Sequence, residues 1–322
     1  MVHIRCEKQR LQNLTRKHMD AIQGYISEQS ASYQEQLYAS VSALTALPAP
    51  PFTNFAAACA ADDWCWLQHL ILADVPTLRR LVAQDAPRLQ FKQFADMYNK
   101  YFSRSPEICL YGDYNAYSLI SGLNLHICPY CDEEPAEVFE AGGRRRRNAQ
   151  LDHFFPKDTY SGLAMCFFNL IPSGTCNQIK LRGNLGENPY ESDIETHTRL
   201  FPDITPGINF SLLTPEECPI NFHATGGMIE NVRLLGLEDR YKKHQGEAYQ
   251  LLKKLQYYNR AKQDELSRDF CGGDRDELRR MLDLELPKEQ DWGQKPLTKL
   301  KHDILITAAS MEKHVDAEVP QT

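Results

Sequence analysis

The sequence predicts an α+β fold, a mostly helical chain around a small strand-bearing centre. Apolar residues recur at helical steps from residue 5 to about residue 125, and again beyond residue 239. Between Cys128 and Arg182 the pattern changes to short runs, with a hairpin-like AEVFEAGGRRRRNAQ turning at Gly142-Gly143. Further on, Ile208, Phe210 and Leu212 alternate as strand residues do, and so do Ile220 and Phe222. Three regions follow: a helical one over 1–125, a central one over 126–190, and a small sheet followed by helices over 191–322.

The chain has 322 residues, 42% hydrophobic and 25% charged, ordinary values that allow a core of normal size. The net charge of −7 argues against a protein that coats nucleic acid along its whole surface. Any nucleic-acid site is then a local basic patch on an acidic body. No run approaches the ~20 apolar residues of a membrane span. The opening MVHIRCEKQRLQNLTRK has no apolar segment of the secretory kind, so a cytoplasmic protein is expected. Ten cysteines are scattered, and only Cys128 and Cys131 form a C-x-x-C, which suggests reduced thiols with one metal knuckle.

The helical flanks can be taken in order. Leu11, Leu14, Met19, Ile22 and Ile26 form one stripe, and Leu37, Val41 and Leu44 continue it in a second segment. Such stripes are usually core; a partner-binding helix is the second reading. Pro48-Ala49-Pro50-Pro51 ends them, because proline lacks an N–H and its ring clashes inside a helix. Asp62-Asp63 is placed to cap a helix through Trp66, Leu67, Leu70 and Ile71. Val75-Pro76-Thr77 makes a fresh break before Leu78, Leu81 and Val82. Phe91, Phe94, Met97, Tyr98 and Phe102 give an aromatic stripe, read as core. On the far side, one long helix is expected from Asp239 to about Arg268. Cys271-Gly272-Gly273 stops it, Asp274 caps the next helix through Leu286, and a last helix runs from Pro296 to about Met311.

The central stretch carries the chemistry. Cleaving a phosphodiester needs a positioned base to take a proton from water, and a divalent cation beside the phosphate and the leaving oxygen. Hard cations take oxygen ligands, and Asp152 and Asn177 offer a carboxylate and an amide oxygen. His153 is the residue type that takes a proton at neutral pH. On a regular strand Asp152 and His153 point to opposite faces, so they serve one centre only at a strand end or on irregular backbone.

LDHFFPK followed by FNLIPSGTCNQIK resembles the HNH endonuclease family, with its ββα-metal core, over residues 126 to 182. The resemblance implies that Asp152 and Asn177 are ligands of a catalytic Mg²⁺ or Mn²⁺, that His153 is the general base, and that Asn169 holds the base in orientation. It implies that Lys180, one turn beyond Asn177, faces phosphate, and Lys157 is expected to bind nucleic acid as well. It also implies strands over 136–139 and 148–152 and a helix from Cys176.

Many such proteins carry two C-x-x-C pairs around a structural Zn²⁺. Here Cys128-Pro129-Tyr130-Cys131 is intact, but the second pair reads Ser173-Gly174-Thr175-Cys176. Three thiolates remain, and closed structural zinc sites take four ligands. Either the zinc is lost, or His126, Asp132 or Cys166 completes it. Its loss is expected to leave the chemistry intact and the core less well braced. Arg144, Arg145, Arg146 and Arg147 follow the glycine pair. On a strand they alternate faces, so two point the same way, and phosphate contact is set against a solvated charged face.

The expected function is a metal-dependent HNH endonuclease, with DNA before RNA as substrate. The LDHFFPK and NLIPS block between long helical flanks is similar to the HNH subunit of bacterial anti-phage systems of the Septu type. That similarity implies an ABC/SMC-like ATPase partner, in some systems with a retron reverse transcriptase complex, docked on the flanks. The rivals are a stand-alone restriction-type enzyme, an RNA-cleaving effector, and a zinc-knuckle adaptor that binds without cutting.

Overall fold

The structure, a computed structural model, describes residues 1–191, 194–202 and 209–318. Seven helices come first: α1 (Lys8–Ser27), α2 (Ala31–Ser42), α3 (Phe55–Ala60), α4 (Cys65–Ile71), α5 (Val75–Asp85), α6 (Gln93–Met97) and α7 (Ala116–Leu123). The short strands β1 (Val138–Ala141), β2 (Arg144–Arg147), β3 (Gln150–His153) and β4 (Leu170–Ser173) follow, then α8 (Cys176–Lys180). Beyond them lie β5 (Thr198–Pro202), β6 (Ile220–Ala224), α9 (Met228–Leu235), α10 (Leu237–Tyr241), α11 (Gln245–Tyr257), α12 (Arg260–Phe270), α13 (Arg275–Met281) and α14 (Thr298–Glu318). Helices beside small antiparallel sheets make the chain α+β.

Local chemistry explains the helix ends. Asp63, just before the N-cap Trp64, accepts from the Cys65 N–H of the first turn of α4 at 2.8 Å. Asp74 accepts from Thr77 N at 2.9 Å, with Pro76 in the first turn of α5 where its missing N–H costs nothing. Val75-Pro76-Thr77 is therefore a helix start. The stripe of α1 buries Leu14, Met19, Ile22 and Ile26, each worth about 1.5–3 kcal/mol of apolar burial. These residues belong to the main core, as the first reading of the stripe had it.

Three expectations change. The long helix from Asp239 to about Arg268 is broken, because Asn259 caps a new helix by accepting from Lys262 N at 3.1 Å. Asp274 does cap α13, but that helix stops at Met281, before Leu286. In the small sheet, β6 pairs with β5 in the register Leu200↔Phe222, so Ile220 and Phe222 lie on a strand. Phe210 and Leu212 instead form a 3₁₀ turn, capped by the Asn209 side chain, and Ile208 lies outside the described residues.

Two hydrophobic clusters organise the packing. The larger joins α1–α7 to the central strands, α8, α9 and Leu237. The smaller gathers β5, β6, α11 and α14 around Tyr241, Leu252, Leu300 and Ile304. The first 125 residues and the centre thus contribute to one core.

The strands also differ from the expected pair. β1 pairs with β2 (Phe139↔Arg146), so the arginine run is itself a strand of that hairpin. β3 pairs with β4 (Asp152↔Ile171, His153↔Leu170), so the NLIPS segment supplies the second strand beside Asp152-His153. The chain therefore runs strand, loop, strand, helix through β3, β4 and α8.

Candidate active site

His153 is the last residue of β3, with Asp152 before it. The chain then bends, and Phe154 N donates to the Asn169 carbonyl at 2.9 Å. Asp152 faces α8. Residues 177 and 180 share one side of that helix, about 4.5 Å apart along the axis, while 150 and 152 share one side of β3, about 6.6 Å apart. The two spacings match well enough for paired contacts. Asn177 Nδ2 donates to Gln150 Oε1 at 2.7 Å, and Lys180 Nζ donates to both Asp152 oxygens at 2.9 and 3.2 Å. Lys180 Nζ also donates to the His153 carbonyl. Its side chain is fully buried.

That corrects one expectation. Lys180 does not face outward to meet phosphate; its ammonium neutralises Asp152. Burial pulls the Lys180 pKa below the ordinary ammonium value, and the Asp152 carboxylate opposes that shift. The Tyr130 hydroxyl completes the environment of the carboxylate, donating to Asp152 Oδ2 at 2.7 Å.

The His153 ring points toward other partners. Its Nε2 lies 3.0 Å from the Ala164 carbonyl, and the Tyr98 ring meets it edge-on at 4.5 Å between centroids. A carbonyl only accepts, so Nε2 carries the proton and Nδ1 keeps its lone pair. Burial, with the Lys157 and Lys180 charges adding to it, lowers the His153 pKa to about 3, and the Ala164 carbonyl opposes the shift. The ring is thus neutral near pH 7. Asn169 does not touch it. Asn169 Oδ1 accepts from Phe155 N at 2.7 Å, and Nδ2 donates to the Phe155 and Leu163 carbonyls at 3.2 and 3.0 Å. It ties the backbone at Phe155 to that at Leu163.

Lys157 sits near this ring. Its Nζ lies 4.9 Å from the Tyr98 ring centroid and donates to Asn99 Oδ1 at 2.5 Å. The arginine run splits by strand alternation. Arg147 donates to the Ser103 carbonyl at 2.6 Å and covers the Tyr117 ring at 4.8 Å, and Arg145 reaches Ser121 Oγ at 3.2 Å. These two are tied to the scaffold. Arg144 and Arg146 are exposed on the opposite face, beside exposed Phe139.

Asp152 and Asn177 offer donor types that a hard divalent cation takes, a carboxylate and an amide oxygen. The Lys180 ammonium already rests on that carboxylate, so a cation there would compete with it.

Cys128, Cys131 and Cys176 are all buried, with their sulfurs within 4.8 Å of one another. Three thiols at that spacing fit a soft cation such as Zn²⁺. Hydrogen bonds from Cys128 and Cys176 hold Cys131 far below the ordinary thiol value, as a thiolate. None of the expected fourth ligands joins the group. His126 is half exposed and bonded to Glu137, Asp132 accepts from Lys299 N at 2.7 Å, and Cys166 is buried elsewhere. The neighbour is Arg240 of α10, whose Nη1 donates to Cys176 Sγ at 3.1 Å while its Nε donates to Glu133 at 2.8 Å.

Sequence reasoning missed Tyr130, Tyr98, Gln150 and Arg240. Only Tyr130 left a signal: a tyrosine between two knuckle cysteines is bound for the interior, where its hydroxyl needs a partner. No family model matches the chain, and comparison with curated proteins and with solved structures returns no match.

Proposed function

We propose that this chain is an HNH-type endonuclease that hydrolyses phosphodiester bonds at Asp152 and His153. One observation carries the reading. At the end of a strand within a strand–loop–strand–helix unit, a neutral histidine is fixed by a carbonyl on Nε2, next to a carboxylate that already holds a cationic group.

Each residue then has a task. His153 Nδ1 takes a proton from water; the water oxygen bonds to phosphorus, and the bond to the leaving oxygen breaks. The Ala164 carbonyl keeps the tautomer and stabilises the imidazolium that forms. Asn169 holds the loops that carry Phe155 and Leu163, and with them the geometry of the base. Asp152 and Asn177 are the residues that would hold Mg²⁺ or Mn²⁺, which when bound offsets charge on the phosphate and leaving group. Arg144 and Arg146 meet backbone phosphates, which gives affinity without base reading. An ATPase partner of the ABC/SMC type, with or without a reverse transcriptase complex, would supply the target selection that this chain's sequence lacks. This is the anti-phage effector reading.

A second reading has its own support. Asp152 is 2% and His153 7% exposed, and an ammonium closes the carboxylate, as suits an adaptor that binds without cutting. One assay separates the two: incubate the purified chain with supercoiled DNA and with total RNA, adding Mg²⁺, Mn²⁺ or EDTA. Metal-dependent cutting that disappears in His153→Ala supports the nuclease and names its polymer. Cutting that persists in His153→Ala removes the proposed base. A chain that binds nucleic acid but never cuts, alone or with a captured partner, is the adaptor.

A further inference from the structure

The loop between β3 and β4 carries three consecutive carbonyls, each claimed by a side chain. Leu163 accepts from Asn169 Nδ2 at 3.0 Å, Ala164 faces His153 Nε2 at 3.0 Å, and Met165 faces His18 Nε2 at 2.7 Å. The first two claimants belong to the site already described. The third, His18, comes from the middle of α1, and nothing in the chemistry above uses it. The segment lies between two 3₁₀ turns, Ser161–Leu163 and Phe167–Asn169. Among the described residues, no backbone N–H donates to the Ala164 or Met165 carbonyl. The hydrogen-bond donors to those two groups are therefore side chains.

His18 is built for one orientation. It is fully buried, boxed edge-on by Phe102, Tyr114 and Phe167 at 5.5 to 5.8 Å between centroids. The Met165 carbonyl can only accept, so His18 Nε2 donates, and Nδ1 then accepts from the Tyr114 hydroxyl at 3.1 Å. With both nitrogens satisfied and the ring boxed in, His18 fixes the Met165 carbonyl. The Ala164 and Met165 peptide planes meet at the Met165 Cα, so freeing the Met165 carbonyl releases the φ and ψ of that residue and with them a restraint on the Ala164 carbonyl. That carbonyl selects the tautomer and aim of His153.

We propose that His18 is a positioning residue for His153, acting from α1 through the Met165 and Ala164 carbonyls. The proposal rests on the nuclease reading for its kinetic consequence, but not for its structural one. It also gives the N-terminal helix a part in the reaction, through the loop that carries Ala164.

Two polar variants test it in the full chain. In His18→Gln the amide nitrogen takes the place of Nε2 and still donates to Met165. In His18→Asn the amide takes the place of Nδ1, keeps Tyr114 and falls short of Met165. Long-range proton–nitrogen NMR, with the His153 signals assigned by their loss in His153→Ala, reads the tautomer without requiring activity. The expected result is His153 held as the Nε2–H form in wild type and His18→Gln, and mixed tautomers in His18→Asn. In cleavage assays, kcat then falls about 10- to 100-fold in His18→Asn with KM unchanged, and His18→Gln recovers most of it. Unchanged His153 signals in folded His18→Asn overturn the proposal, as do equal losses in both variants. Should His18→Asn not fold, His18→Gln decides: a His153 signal moved from wild type overturns the proposal, and an unmoved one supports it. A wild-type chain that shows the tautomer but never cuts would count against the nuclease reading alone.

Discussion

Replacing Asp152 by asparagine should destabilise the chain by about 3–5 kcal/mol, the usual cost of leaving one member of a buried ion pair alone. The size follows from the burial. The Lys180 side chain is 0% and the Asp152 side chain 3% exposed, with 2.9 Å between charges. At an effective dielectric near 20 their attraction is about 6 kcal/mol, and taking two charges out of water costs several kcal/mol each. The pair is therefore close to neutral in net stability, and the expense appears only when one partner goes. Lys180 has one escape, giving up its proton, which at pH 7 costs at most about 5 kcal/mol from an ordinary lysine value. The two routes agree on the scale. Urea unfolding followed by tryptophan fluorescence would compare Asp152→Asn, Lys180→Met and the double variant. The double variant should be more stable than either single one, because it removes both charges together. Single costs under about 1 kcal/mol, or a double cost equal to the sum of the singles, would refute the buried pair. Added Mg²⁺ should stabilise Lys180→Met more than wild type, since the competing ammonium is gone.

Three further outcomes are expected. Protein grown in zinc-replete medium should carry about one zinc per chain by elemental analysis, and Cys176→Ser should lose most of it, since two thiolates bind far more weakly than three. Arg144→Gln with Arg146→Gln should weaken binding to any nucleic-acid sequence alike and lower the salt slope by about two, whereas Arg147→Gln should lower the melting temperature and leave the slope unchanged. Acid should expose His18: its folded pKa, about 4, lies below the ordinary 6.5 because burial disfavours the charge. The unfolded chain then binds more protons between those values, so stability present above pH 6.5 is lost as pH falls toward 4, by about 3 kcal/mol in all. Urea midpoints measured against pH should be flatter over that window in His18→Gln.

Much of this architecture was legible in the chain because it rests on local chemistry. Gly272-Gly273 and Asp274 act within a few residues of where they stand, and the α1 stripe needs only a period of 3.6. The pairing of β3 with β4 was hidden for a physical reason. Leu170–Ser173 is buried at all four positions, so it shows no alternation, and Pro172 reads as a break although a two-stranded ribbon tolerates it on an edge. The site divided the same way. Asp152, His153, Asn169 and Asn177 stood out as a set, whereas the destination of Lys180 depended on a helix docking against a strand. One turn beyond Asn177 is compatible with phosphate or with Asp152, and only the tertiary contact decides.

The cysteine cluster has more influence on the site than a remote brace would. Tyr130 lies between Cys128 and Cys131 and gives its hydroxyl to Asp152, while Cys176 begins α8, the helix that brings Lys180 to the same carboxylate. Opening the cluster is expected to loosen Asp152 from two sides at once, in place of the expectation that metal loss there spares the chemistry. EDTA alone would then confuse two metals. Tyr130→Phe separates them, because it removes one hydrogen bond to Asp152 and leaves all three sulfurs in place. It should retain the zinc of wild type and lower cleavage about tenfold, the scale expected when a ligand loses its outer hydrogen bond. Cys176→Ser should lose both. Full activity in zinc-free Cys176→Ser protein would show that the cluster and the carboxylate are uncoupled, whatever the distances between them.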